Sequence, residues 1–271
     1  MFPTLFRIGP FAVGTHDAFV LAGLFSALTV FLVEARRRDA LDERLAWIAI
    51  GSLLCGAVAA KASTVWQYVA FSPEPTVLGA VIYGGKSVLG GLAGAYAGAL
   101  ITKRIVGYRE STGDFFAPAV ALGLAVGRLG CFLTEQIGTP TSLPWGISVD
   151  AETAARMPMC RQCAPFVTMH PSFLYEAVFQ AAMFGVLLAL RTRMARRGDL
   201  FKIYLLSYAV FRFAVEFVRG NPPVVGGLSY SQLFLIPSTL ALAVYFVVQR
   251  TRGAHRPPAF GATPDLARDP A

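Results

Sequence analysis

Charge is scarce in this sequence. Asp, Glu, Lys and Arg make up 15% of the 271 residues, against about 25% in a soluble globular domain. That excludes an ordinary soluble fold. Histidine and cysteine are scarcer still, at three and four residues. One close pair, Cys160-x-x-Cys163, falls short of the four ligands a structural zinc takes. The sequence has no phosphate-binding Walker loop, paired metal motif or G-x-S-x-G elbow. No metal and no cofactor are expected. The first 16 residues lack both the basic stretch and the small-residue cleavage site of a removable signal peptide. The first apolar run is therefore expected to act as the insertion signal.

What the chain has is apolar length. Hydrophobic residues are 55% of the total, and roughly 20 in a row span a bilayer as a helix. Seven runs qualify, at about 17–35, 45–70, 77–101, 114–134, 172–190, 200–218 and 229–249. The fold class read from them is an all-α, polytopic membrane protein of about seven transmembrane helices. Its domain would cover 1–252, with an outer loop at about 135–171 and a disordered cytoplasmic tail at 253–271. The basic residues test the count. Arg36–Arg38 with Arg44, Lys103–Arg109, Arg191–Lys202 and Arg250–Arg268 fall in alternate connections. The positive-inside rule then puts the N-terminus outside and the C-terminus in the cytoplasm. The net charge of +8 is explained by this topology and by anionic lipid, and no nucleic-acid motif accompanies it.

Some charges fall inside the runs. Arg128, between Gly127 and Gly130, and Arg212 are costly in lipid, by about 3 kcal/mol on insertion scales. An anion at the membrane surface would offset that cost, since the guanidinium fork suits phosphate or carboxylate. In the sixth run Tyr204, Tyr208, Arg212 and Glu216 are spaced by four, with Arg219 three further on, so they share one helical face. That stripe must face protein or a wet cavity, or it is an internal Arg212–Glu216 pair that orients the bundle. In the third run Gly90, Gly94 and Gly98 repeat every fourth position. Close helix packing is favoured for Gly94 and Gly98. Gly84–Gly85 before Lys86 reads equally as a plain kink or as freed N–H groups beside a cation. The fifth run opens with His170, Pro171, Tyr175 and Glu176, and His170 is the obvious titrating base outside the membrane. Lys61 and Asp114, near run ends, read as side chains reaching the headgroups. Cys55 and Cys131 read as apolar fillers, and Cys160–Cys163 as a local disulfide if outside.

Taken together, these motifs resemble the prolipoprotein diacylglyceryl transferase family over about residues 8–250. Ile8-Gly9-Pro10 looks like its N-terminal motif. GKSVLGGLAG looks like its third-span loop, and GRLGCFL, with Arg128, like its signature segment. PTSLPWGI is similar to the segment after that signature in some branches of the family. HPSFLYE, 170–176, and YAVFRFAVEFVR, 208–219, match two further segments, the latter placing Arg212 and Glu216 as the second arginine and its glutamate. The resemblance implies an enzyme of the bacterial inner membrane with two partners, phosphatidylglycerol and the prelipoprotein signal peptide. It would move diacylglyceryl from the lipid to the lipobox cysteine and release glycerol phosphate. Arg128, Arg212, Glu216, Glu135 and His170 become catalytic candidates. Lys86, Gly90, Gly91, Gly138, Tyr208, Tyr175 and Glu176 become substrate-binding candidates. The family commonly has histidine where this chain has Leu89, and asparagine where it has Cys131. Its tyrosine near the start of the first span is not evident here, and His16 lies near that place. Three alternatives stay open: a non-catalytic lipid-binding or accessory protein, a relative with another acceptor, and a small-anion transporter.

Overall fold

The computed structural model describes residues 4–9, 11–71, 76–83, 87–134, 138–148, 151, 166–194, 196–221 and 223–251. A short antiparallel hairpin, β1 (Thr4–Ile8) and β2 (Phe11–Gly14), leads directly into helix α1 (Thr15–Arg37). Then come α2 (Glu43–Phe71), α3 (Val77–Tyr83), α4 (Val88–Ile105) and α5 (Gly113–Thr134). A two-residue ladder, β3 (Ile147–Ser148) with β4 (Thr168–Met169), precedes α6 (Ser172–Leu190). Helix α7 (Asp199–Val215) tightens into a 3-10 turn at Glu216–Val218, and α8 (Tyr230–Thr251) closes the described chain.

Small residues set the helix pairing. Helices α1 and α5 run antiparallel so closely that a Cβ on Gly23 would lie 2.6 Å from the Gly123 carbonyl oxygen. At the other end of the same pair Phe31 meets Phe115 edge-on, with ring centroids 6.4 Å apart. Helices α2 and α4 pack the same way. Cβ atoms on Gly90 and Gly94 would collide with Ser63 Oγ and Ala59 Cβ, and one on Gly98 would lie 2.6 Å from Cys55 Cβ. Such approach replaces the hydrophobic drive that lipid does not supply.

Among the described residues, five helical segments are long and apolar enough to cross a bilayer: 15–37, 43–65, 113–134, 172–190 and 230–249. The third apolar run is not one helix. It divides into α3 and α4, with Ser87 in extended conformation and its Oγ accepting from Gly90 N at 3.1 Å. Ser87 explains the second start, because an N-cap serine begins a new helix. Gly84, Gly85 and Lys86 lie outside the described residues, as do Glu135, Cys160 and Cys163.

The basic connections gather at one end of the bundle. Glu34 is buried there and pairs with Arg37 at 3.0 Å and with Arg191 from the end of α6. Asp114 does not reach toward headgroups as the sequence suggested. It is buried, accepts from Gly198 N at 2.9 Å and faces Arg38 at 3.6 Å. Its position at the start of α5 caps the turn before α7 instead.

Candidate functional site

At the opposite end, the last turns of α5 and α7 meet the first turn of α6. Arg128 lies on the face of α5 turned away from α1, since Gly130, two residues on, is the one pressed against Phe19. Its Nε sits 3.0 Å from Glu176 Oε1. Two other groups engage that carboxylate. The Tyr208 hydroxyl donates to Oε1 at 2.6 Å, and Arg219 Nη1 donates to Oε2 at 3.3 Å. Glu176 itself is fully buried. The Phe173 ring, one turn earlier in α6, lies under both cations, 5.4 Å from Arg128 Cζ and 4.6 Å from Arg219 Cζ.

A second carboxylate stands beside the first. Glu216 pairs with Arg212 one turn before it. It also accepts from Ser229 Oγ at 2.6 Å and Asn221 Nδ2 at 2.8 Å. Arg219 Nε lies 4.0 Å from it, so Arg219 bridges the two carboxylates. Burial, with Arg212 and Arg128 nearby, pulls the Arg219 guanidinium down to about 10, still cationic at neutral pH. Ser229 is held in turn by a capping box at the start of α8: Ser229 N donates to Gln232 Oε1 and Gln232 N to Ser229 Oγ. Three guanidiniums thus face two carboxylates in one buried cluster, an excess of one positive charge.

One turn deeper, the Tyr204 hydroxyl donates to Gln180 Oε1 at 3.0 Å, with both residues fully buried. The stripe Tyr204, Tyr208, Arg212, Glu216 therefore faces protein, as its spacing required. His170 Nδ1 is 3.2 Å from the Tyr175 hydroxyl, and that hydroxyl accepts from Trp145 Nε1 at 2.8 Å. Gly138 is where the loop crosses the chain ends: a Cβ there would collide with Val218 O and lie 2.8 Å from His170 O. Thr139 beside it donates its N–H to Val218 O at 2.9 Å.

The structure therefore brings Arg128, Glu176, Tyr208, Arg212 and Glu216 into one cluster, and places His170, Tyr175 and Gly138 around its rim. It puts Gly90 and Gly91 in the α2–α4 contact, against Ser63 and Ala60. Cys131 is buried 3.8 Å from Arg128 Nη1, so it lines the cluster as well as filling space. Sequence reasoning missed Phe173, Gln180, Asn221 and Ser229. Two signals were available: Gln180 repeats Glu176 at four residues, and Ser229-x-x-Gln232 is a capping box.

The family model for prolipoprotein diacylglyceryl transferase matches residues 3–248. The chain belongs to the prolipoprotein diacylglyceryl transferase family. That match takes in every described helix apart from the last residues of α8, and with them both carboxylates and all three arginines of the cluster. A phosphatidylglycerol–prolipoprotein diacylglyceryl transferase of Chromohalobacter salexigens is 32% identical over 252 residues, covering 88% of this chain and 89% of that one. One of Gloeobacter violaceus is 30% identical over 251 residues, covering 89% and 90%. Another, of Acaryochloris marina, is 29% identical over 240 residues, covering 85% and 84%. As a member of this transferase family with five apolar helices among the described residues, the chain is a multi-pass membrane protein.

Proposed function

We propose that this chain transfers diacylglyceryl from phosphatidylglycerol to the lipobox cysteine of a prelipoprotein and releases glycerol phosphate. The observation that carries this reading is the excess of cationic charge in the buried cluster of Arg128, Arg212 and Arg219 with Glu176 and Glu216. A phosphodiester brings the one negative charge that balances it. Arg128 and Arg212 would hold the phosphate, and Glu176 and Glu216 would fix their orientation, so that charge growing on the leaving phosphate meets preorganised donors. The nucleophile is the acceptor thiolate, the reactive form of cysteine. Glu135 or His170 would raise its fraction, and Lys86 would add positive charge from the third-run loop. The protein would cross the bacterial inner membrane seven times, with the arginine cluster outside, the basic end inside and 253–271 as a cytoplasmic tail.

Purified protein given phosphatidylglycerol and a lipobox peptide tests the reading. Thioether product from wild type, lost in Arg128→Ala and Arg212→Ala, supports it. No product from folded protein that binds phosphatidylglycerol would favour a non-catalytic lipid-binding role. The specific feature behind that second reading is Leu89 at the family's usual histidine.

A further inference from the structure

A groove of about 470 Å³ lies on the outer flank of α6 and α7, on the far side of Tyr208 from Arg128. Leu174, Tyr175, Val178 and Phe179 of α6, Phe211 of α7 and Trp145 wall it. The walls are apolar, and Val178 is 62% exposed, so the groove opens sideways where a bilayer would lie. Its floor is a flat stack of Phe179 on Phe211, with centroids 4.0 Å apart. Phe179 also lies against Tyr208, with centroids 6.3 Å apart, and Tyr208 holds Glu176. One layer of side chains thus separates the groove from the arginine cluster. The outer rim, by contrast, carries the polar groups Trp145 Nε1 and the Tyr175 hydroxyl, and His170 meets that hydroxyl from behind the lining.

We infer that this groove seats the apolar, membrane-spanning leader of the acceptor protein, and that His170 takes the proton from the cysteine at the leader's outer end. The inference rests on the transferase reading above. A lipid tail would use only the apolar walls. A leader carries apolar side chains along its length, and at its outer end it brings polar backbone and a thiol to the level of the rim. The Tyr175 hydroxyl accepts from Trp145 Nε1 and meets His170 Nδ1 at 3.2 Å. The proposed step uses the tautomer in which Nδ1–H donates to Tyr175, so that the lone pair on Nε2 is left for the thiol. Nε2 takes the S–H proton. The sulfur lone pair forms the C–S bond to the glyceryl carbon as its C–O bond to phosphate breaks, and the electron pair leaves on the phosphate beside the arginines. The imidazolium then returns its proton to water.

The test uses full-length protein in nanodiscs of phosphatidylglycerol and phosphatidylcholine. The probe is a lipobox peptide carrying a photo-crosslinker in its apolar segment. Crosslinks are expected on 174–179 and Phe211. Val178→Trp should weaken peptide binding about tenfold and leave phosphatidylglycerol binding unchanged. His170→Gln should keep the crosslink and lose transfer about 100-fold, within the range of lost general-base catalysis. Crosslinks mapping to other helices, or unchanged peptide affinity in Val178→Trp, would overturn the docking site. Brominated lipid tails that stay in the groove at saturating peptide would overturn it too. Full transfer by His170→Gln would overturn the proton step. Crosslinking at the groove in wild-type protein that transfers nothing would overturn the transferase reading and leave the docking site standing.

Discussion

Glu176 is the residue on which the cluster turns. It meets Arg128, Arg219 and Tyr208 from three different parts of the chain while fully buried. Removing one partner of a buried ion pair leaves the other uncompensated, at about 3–5 kcal/mol. Glu176→Gln is therefore expected to lower the thermal midpoint sharply and to abolish transfer, read by unfolding in detergent and by the lipobox assay. Tyr208→Phe removes one hydrogen bond to a carboxylate, worth about 1.5–3 kcal/mol. It should destabilise less than Glu176→Gln and leave measurable activity. Arg128 and Glu176 were each legible in the sequence as misplaced charges. Their pairing was not, because nothing in the spacing of α5 relates it to α6.

Among elements, the glycine-lined pair α2 and α4 and the start of α8 carry the clearest consequences. Gly94 faces Ala59 Cβ and the Cys55 carbonyl, so a side chain has no room there. Gly94→Val is expected to separate the two helices and cost at least the about 1–3 kcal/mol of overpacking, seen as loss of monodisperse protein in detergent. Ser229→Ala removes the cap of α8, about 1 kcal/mol, and also one of the donors on Glu216. Its expected effect on transfer is thus larger than a cap alone explains, and comparing Tm loss with activity loss separates the two parts. Helix limits were well marked in the sequence where apolar runs met charge. The fifth run, expected at 172–190, is helix over Ser172–Leu190. Hydropathy alone gave the third run as one span, while Gly84–Gly85 in the sequence marked a break in it; α3 ends at Tyr83 and Ser87 caps the start of α4.

On the scale of the whole molecule, opposite ends of the bundle hold opposite arrangements. One end gathers Arg37, Arg38 and Arg191 around Glu34 and Asp114. The other buries the Arg128–Glu176 and Arg212–Glu216 pairs under loops. The proposed orientation predicts that, in a background without native cysteines, Ser142→Cys is labelled by an impermeant maleimide in intact cells. Arg109→Cys should be labelled only after permeabilisation. The reverse pattern would invert the topology.

The sequence by itself determined that the chain is helical, apolar and layered by charge, since bilayer thickness, helical rise and the cost of buried charge act on residues near one another in the chain. It also singled out Arg128, Glu176, Arg212 and Glu216 as residues needing partners. The i,i+4 spacing already offered Arg212–Glu216; only the tertiary structure decided the other partners. Arg219 bridges two carboxylates, Ser229 at the cap of α8 reaches back to Glu216, and one phenylalanine serves two cations. Those contacts tie α5, α6, the end of α7 and the start of α8 together, and they form only when the packed helices bring these ends within hydrogen-bonding reach.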